Sequence, residues 1–158
     1  MAPEHLRRYI LRWDDFMPDT EDLSLIVLKG HLLVEEMLTE LLEHILPFPQ
    51  HIEVLNLRFS HKVSIVRAAC KYEVNNKAWD LINALNKTRN ELIHNLEPPK
   101  LEKVLKNLFS IHKQVDVIDV PLDRSQNHLA KTSIRLEWAI QDCMRFLAKL
   151  MSIIEENE

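Results

Sequence analysis

The chain has 158 residues, 46% of them hydrophobic, and a formal net charge of -4, enough for one domain with a proper core and too short for two comfortable ones. A single glycine excludes the glycine-rich phosphate loops of Walker and Rossmann nucleotide sites, and the abundance of Leu, Ile, Glu, Lys and Asn favours long helices over sandwiches and barrels. Two distant cysteines, no CxxC pair, no basic-plus-apolar leader and no uninterrupted apolar run long enough to span a bilayer give the expectation of a soluble cytoplasmic protein with reduced thiols.

Prolines punctuate the chain, and between them apolar residues recur at three- and four-residue steps. Pro3 opens a short helix over Glu4 to Phe16. Thr20, followed by acids and then an apolar run, reads as the N-cap of a second helix reaching about Leu46. Its glycine, Gly30, costs about 1 kcal/mol against alanine in mid-helix, so it is expected to admit a neighbouring backbone. The segment PFPQ ends this helix, because each proline bars its predecessor from helical angles. After a connection, a helix spans about Leu57 to Lys71, the next about Asn75 to Asn95, and another about Pro99 to Lys113.

The stretch QVDVIDVPLDRSQN alternates with period two but has no obvious strand partner, and reads as loop. A last helix from Asn127 to about Glu155 carries Leu129, Ile134, Leu136, Ile140, Leu147, Leu150, Ile153 and Ile154. The expected fold is all-α: one domain over residues 1–158, an up-and-down bundle of about four long helices plus the short N-terminal one.

Charge is uneven along the chain. Residues 1–50 carry four basic and ten acidic side chains, residues 51–114 eleven and six, and residues 115–158 five and eight. A basic middle within an acidic protein argues against a DNA-coating surface and permits a local anion-binding groove, although chance variation among solvated helix faces gives the same pattern.

With Arg89 at the origin of a helical wheel of about 100° per residue, Leu81, Leu92, Leu85, Leu96, Ile82 and Ile93 fall between roughly -80° and +40°. Arg89 sits inside that arc, and a core-facing guanidinium cannot lose its proton and demands acceptors. Asn86, Asn90, Asn83 and His94 follow between about 60° and 140°, forming one polar stripe beside the apolar one. On the second helix Glu35 falls within the apolar arc, with His31 one turn earlier, while Glu36 points away with Glu43. The simplest expectation pairs Glu35 with Arg89, either to fix helix register or to serve a site.

These residues carry a resemblance. Arg89 and Asn90 followed by His94 resemble the signature of the HEPN superfamily, small all-α proteins with an arginine, a polar residue and a nearby histidine on one helix. LSLIVLKGHLLVEEMLTELLE upstream and RFSHKVSIVRAACK before the motif helix also resemble that family, particularly proteins similar to the mannitol operon repressor. The resemblance covers about Leu23 to Asn95. It implies metal-independent cleavage of RNA at a composite site where two motif helices face each other in a homodimer. His94 would move the 2′-hydroxyl or leaving-group proton, Arg89 would stabilise the pentacoordinate phosphate, and Asn90 would position either partner. Lys62 and Asn86 are candidates to bind substrate and Glu35 to support the site.

Under this reading the protein is a toxin or phage-defence effector held in check by an antitoxin or regulatory partner. The alternative is a non-catalytic regulator or adaptor, similar to the mannitol operon repressor, in which the same residues tie a bundle or dimer together. No metal or cofactor is expected, because Glu91 and His94 form one Glu-x-x-His step with no second copy. His44, His51, His61, His112 and His128 read as surface residues. Cys70 and Cys143 read as small hydrophobes, and Trp13, Trp79, Trp138, Tyr9 and Tyr72 as core or interface anchors.

Overall fold

The computed structural model describes residues 4–53, 55–72, 76–94, 98–115 and 130–158. Among these there are seven helices and no strand: α1 (Glu4–Phe16), α2 (Leu23–Ile45), α3 (Gln50–Glu53), α4 (Phe59–Ala69), α5 (Asn76–His94), α6 (Pro98–His112) and α7 (Thr132–Glu156). The all-α bundle is as the periodicity indicates, with two refinements. The connection after the paired prolines contains the one-turn α3, too short to show a period, and the last helix begins at Thr132 rather than Asn127. The stretch with period-two alternation, apart from Gln114 and Val115, and Leu129 lie outside the described residues.

The α2 helix starts where a side chain can satisfy its free amides. Asp22, not Thr20, is the N-cap, its carboxylate accepting from the backbone amides of Ser24 (2.9 Å) and Leu25 (3.2 Å). Thr20 stands one step back and accepts from the Asp22 amide at 3.1 Å.

Two long helices, α2 and α7, form the centre of the bundle and pack against each other along most of their length. Burial on α2 runs through Ile26, Val27, Val34, Met37, Leu38 and Leu41, and on α7 through Leu136, Ile140, Cys143, Leu147 and Leu150. On the flanks α1 lies against α7, α4 covers α2, and the α5–α6 pair closes the remaining side. Trp79 of α5 meets Phe146 of α7 edge to face at 5.0 Å between ring centroids. Tyr9 and Trp79 are buried, whereas Trp13, Trp138 and Tyr72 are half-buried at the rim. Cys70 and Cys143 are both free thiols, and complete burial pushes the Cys143 thiol well above its ordinary range.

Gly30 is explained by a side chain rather than by a backbone. A Cβ placed there would stand 2.5 Å from Ile140 Cδ1 and 2.8 Å from its Cγ2, so the α2–α7 crossing is set by an isoleucine filling the space a side chain would take. Overpacking of this kind costs about 1–3 kcal/mol, more than the roughly 1 kcal/mol of helix propensity that alanine offers. Gly30→Ala should therefore lower stability to urea. In an Ile140→Ala background the same change should become neutral or stabilising, by up to about 1 kcal/mol.

Polar groups tie the flanks to the centre. Arg8 and the Tyr9 hydroxyl both donate to the Glu40 carboxylate, and Arg12 pairs with Glu36 at 2.6 Å. Burial alone would lift Glu40, but these two donors outweigh it and hold the carboxyl below its ordinary value. At the other side His112, the last residue of α6, is buried rather than on the surface. Its Nε2 lies 2.7 Å from Asp142 Oδ2, and Arg145 donates to Asp142 Oδ1 at 2.9 Å. The Asp142 side chain is only 2% exposed, so this cluster links α6 to α7 inside the bundle.

Candidate functional site

Three helices converge on one polar cluster: α2 supplies His31 and Glu35, α4 supplies Phe59 and Lys62, and α5 supplies Asn86, Arg89 and Asn90. Each arrives by helical spacing. His31 and Glu35 stand one turn apart on α2, Phe59 and Lys62 one turn apart on α4, and Asn86 and Asn90 one turn apart on α5. His31 is buried, and its ring stacks on Phe59 with centroids 4.3 Å apart. Its Nε2 sits 3.0 Å from Asn86 Oδ1. A carbonyl oxygen only accepts, so in this arrangement Nε2 carries the proton.

Glu35 does not pair with Arg89. Its carboxylate accepts from Lys62 Nζ at 2.9 Å, and its other oxygen stands 4.0 Å from His31 Nδ1. Because α4 also lies against α2, Lys62 reaches the Glu35 carboxylate and supplies its counter-charge. Lys62, with its side chain only 17% exposed, is thereby a structural partner of α2 rather than a free surface cation.

Arg89 is left half-buried with one hydrogen bond, from Nη1 to Asn90 Oδ1 at 3.1 Å, and no carboxylate among the described residues within ion-pair distance. The demand for an acceptor is met by a neutral amide, which cancels none of the charge. Asn90 is exposed, and so is His94, the last residue of α5. On the wheel His94 stands one turn beyond Asn90, so the two share an edge of α5 open to solvent. Between them and Arg89 lies Ile93, 48% exposed although it falls in the apolar arc. Leu28 and Leu32, on either side of His31 along α2, are likewise exposed at 38% and 61%.

His31 and its stack on Phe59 are the participants that motif spacing does not reveal. The one signal in the sequence is the single-turn step from His31 to Glu35. Burial lowers the pKa of His31, against the opposing pull of Asn86 and Glu35, and the charges of Arg89 and Lys62 lower it further. The native imidazole is therefore neutral where the unfolded one, titrating near pH 6.5, has taken up a proton. Below that pH the unfolded state binds more protons, so folding stability falls on acidification, by up to about 1.4 kcal/mol per pH unit for one group. His31→Gln should be less stable than the wild type at pH 7, and the gap in melting temperature should narrow toward pH 5. A gap independent of pH would mean that the imidazole titrates alike in the folded and unfolded chain.

Among the described residues no group of three or more His, Cys, Asp or Glu side chains is placed to hold a metal ion, and no helix is long and apolar enough to cross a membrane. Among the described residues, the α5 edge thus offers one guanidinium without a carboxylate partner, two amides and one accessible imidazole. No family model, no characterised protein and no solved structure matches this chain, so what the site does has to be argued from its own residues.

Proposed function

We propose that the chain is a metal-independent endoribonuclease of HEPN type, acting as a homodimer through Arg89, Asn90 and His94 of α5. The observation that carries this reading is Arg89: a half-buried guanidinium held by Asn90, with no carboxylate partner among the described residues, on the same helix end as an exposed histidine. Such a guanidinium needs an anion, and a phosphodiester supplies one.

In the proposed reaction an imidazole accepts the 2′-hydroxyl proton, the freed oxygen attacks the adjacent phosphorus, and the P–O5′ bond breaks. A second imidazole, from the partner copy, protonates the departing 5′-oxygen, leaving a 2′,3′-cyclic phosphate and a 5′-hydroxyl. Two copies are required because one motif brings one histidine. The fork of Arg89 faces the charge that develops on the pentacoordinate phosphate. Asn90 keeps that fork oriented, and the Asn86 amide, whose carbonyl is engaged by His31, has its nitrogen available to a phosphate oxygen. Ile93, Leu28 and Leu32 offer apolar area for the second copy.

The role in a cell that fits this chemistry is a toxin or defence effector restrained by a partner protein. A regulator without enzymatic activity is the second reading, favoured by the Lys62–Glu35 and His31–Asn86 contacts, which engage Lys62 and Asn86 in holding helices together. Incubation with single-stranded and structured RNA in excess chelator separates the two. The nuclease yields cyclic-phosphate ends, and the protein should size as a dimer at micromolar concentration. A strict monomer that leaves RNA intact would sink the enzymatic reading.

A further inference from the structure

A second basic feature lies away from the motif. Between α6 and the start of α7 runs a cleft of about 600 Å³, lined by Glu102, Lys106, Phe109, Lys113, Thr132 and Arg135 among others. Lys106 on α6 and Lys113, one residue past its end, are both exposed, and neither has a carboxylate partner among the described residues. Arg135 enters from α7 over the ring of Phe109, its guanidinium carbon 4.1 Å from the ring centroid. This cation–π contact engages the ring and neutralises none of the charge of Arg135. Three cations therefore line one cleft whose floor, Leu105 and Phe109, is buried and apolar. Among the described residues Glu102 is the one carboxylate that lines it.

Elsewhere on the molecule Arg8, Arg12, Lys131 and Arg145 each pair with a carboxylate, of Glu40, Glu36, Glu21 and Asp142 respectively. The α6–α7 cleft is distinguished by gathering three cations on one surface, with one carboxylate lining it among the described residues. We infer that it is a binding groove for the phosphate backbone of single-stranded RNA, with Lys106, Lys113 and Arg135 contacting successive phosphates. The choice of RNA among polyanions rests on the nuclease reading given above. Since α6 packs along α5, which carries the motif, the groove would hold a stretch of the strand outside the cleavage site. The backbone is the recognised part because lysines read charge and the cleft contains no exposed ring for a base to stack on.

The test measures binding by fluorescence anisotropy with a short labelled single-stranded RNA, every protein carrying His94→Ala so that the strand is not consumed. Lys106→Gln/Lys113→Gln changes two exposed side chains and should not disturb folding. It should weaken binding about tenfold near 0.1 M salt and flatten the salt dependence by about 0.7 per lysine removed. Adding Arg135→Gln should weaken it further. A control with two exposed lysines changed elsewhere, Lys71→Gln/Lys149→Gln, should shift affinity by much less.

Equal losses in the groove and control variants, no loss in either, or an absence of RNA binding by the His94→Ala protein would overturn the groove. Competition by polyglutamate as effective as that by unlabelled RNA would also overturn it and point to an acidic protein partner. The two proposals fail separately. Binding through the groove by a wild type that never cuts RNA would end the nuclease reading alone, and cleavage with unaltered binding in the groove variants would end the groove alone.

Discussion

His94→Ala should abolish RNA cleavage and leave the fold untouched. His94 is the last residue of α5, exposed, and has no side-chain hydrogen bond or ion pair among the described residues, so its removal should change stability by no more than about 0.5 kcal/mol. Loss of a general acid or base costs about 10²–10⁴ in rate, and here one substitution removes both imidazoles of the proposed symmetric pair. The measurement is a single-turnover cleavage rate in chelator beside a thermal melt. Arg89→Ala should lower the rate by about 10²–10³ without the pH profile changing shape, because a charge that stabilises the phosphate does not titrate near neutrality. A His94→Ala protein that keeps its cleavage rate would remove His94 from any catalytic role, and one that melts several degrees lower would show that His94 also supports the fold.

The opposite result is expected for Asp142→Ala. His94 and His112 each end a helix, α5 and α6, yet one is open to solvent and the other buried against a carboxylate 2.7 Å away. Removing Asp142 strips both Arg145 and His112 of a shared acceptor inside the bundle. Breaking a buried pair by removing one partner costs about 3–5 kcal/mol, which in a chain of this size lowers the melting temperature by about 10 °C or more. Asp142→Asn retains one acceptor and should cost less. Arg145, with 30% of its side chain exposed, can turn to water, so Arg145→Ala should be the mildest of the three. A melting temperature of Asp142→Ala within about 2 °C of the wild type would show that the cluster contributes little beyond its own desolvation cost.

The two histidines also mark how far the sequence could be read. Helices bounded by proline or by a capping acid were legible to within a residue or two: α1 spans Glu4–Phe16 as expected, and α2 stops before Pro47. The start of α7 was not, because Lys131 at its N-cap makes no side-chain cap hydrogen bond and gives no local signal. His112 read as a surface residue since nothing in its neighbourhood names Asp142, thirty positions on. Likewise the wheel placed Glu35 and Arg89 on inward faces but could not say which element would intervene. The intervening residue is Lys62, delivered by α4. Periodicity reports the face of a helix, and only tertiary packing assigns its neighbour.

The solitary charge of Arg89 also bears on assembly. In the proposed pair each copy brings one guanidinium with no carboxylate partner among the described residues, and symmetry would set the two near one axis, where they repel. A polyanion laid between them relieves that repulsion, so strand and second copy become mutual effectors: whatever tightens one equilibrium tightens the other by the same factor. Such a molecule would be half-assembled at rest and clasped by its own substrate.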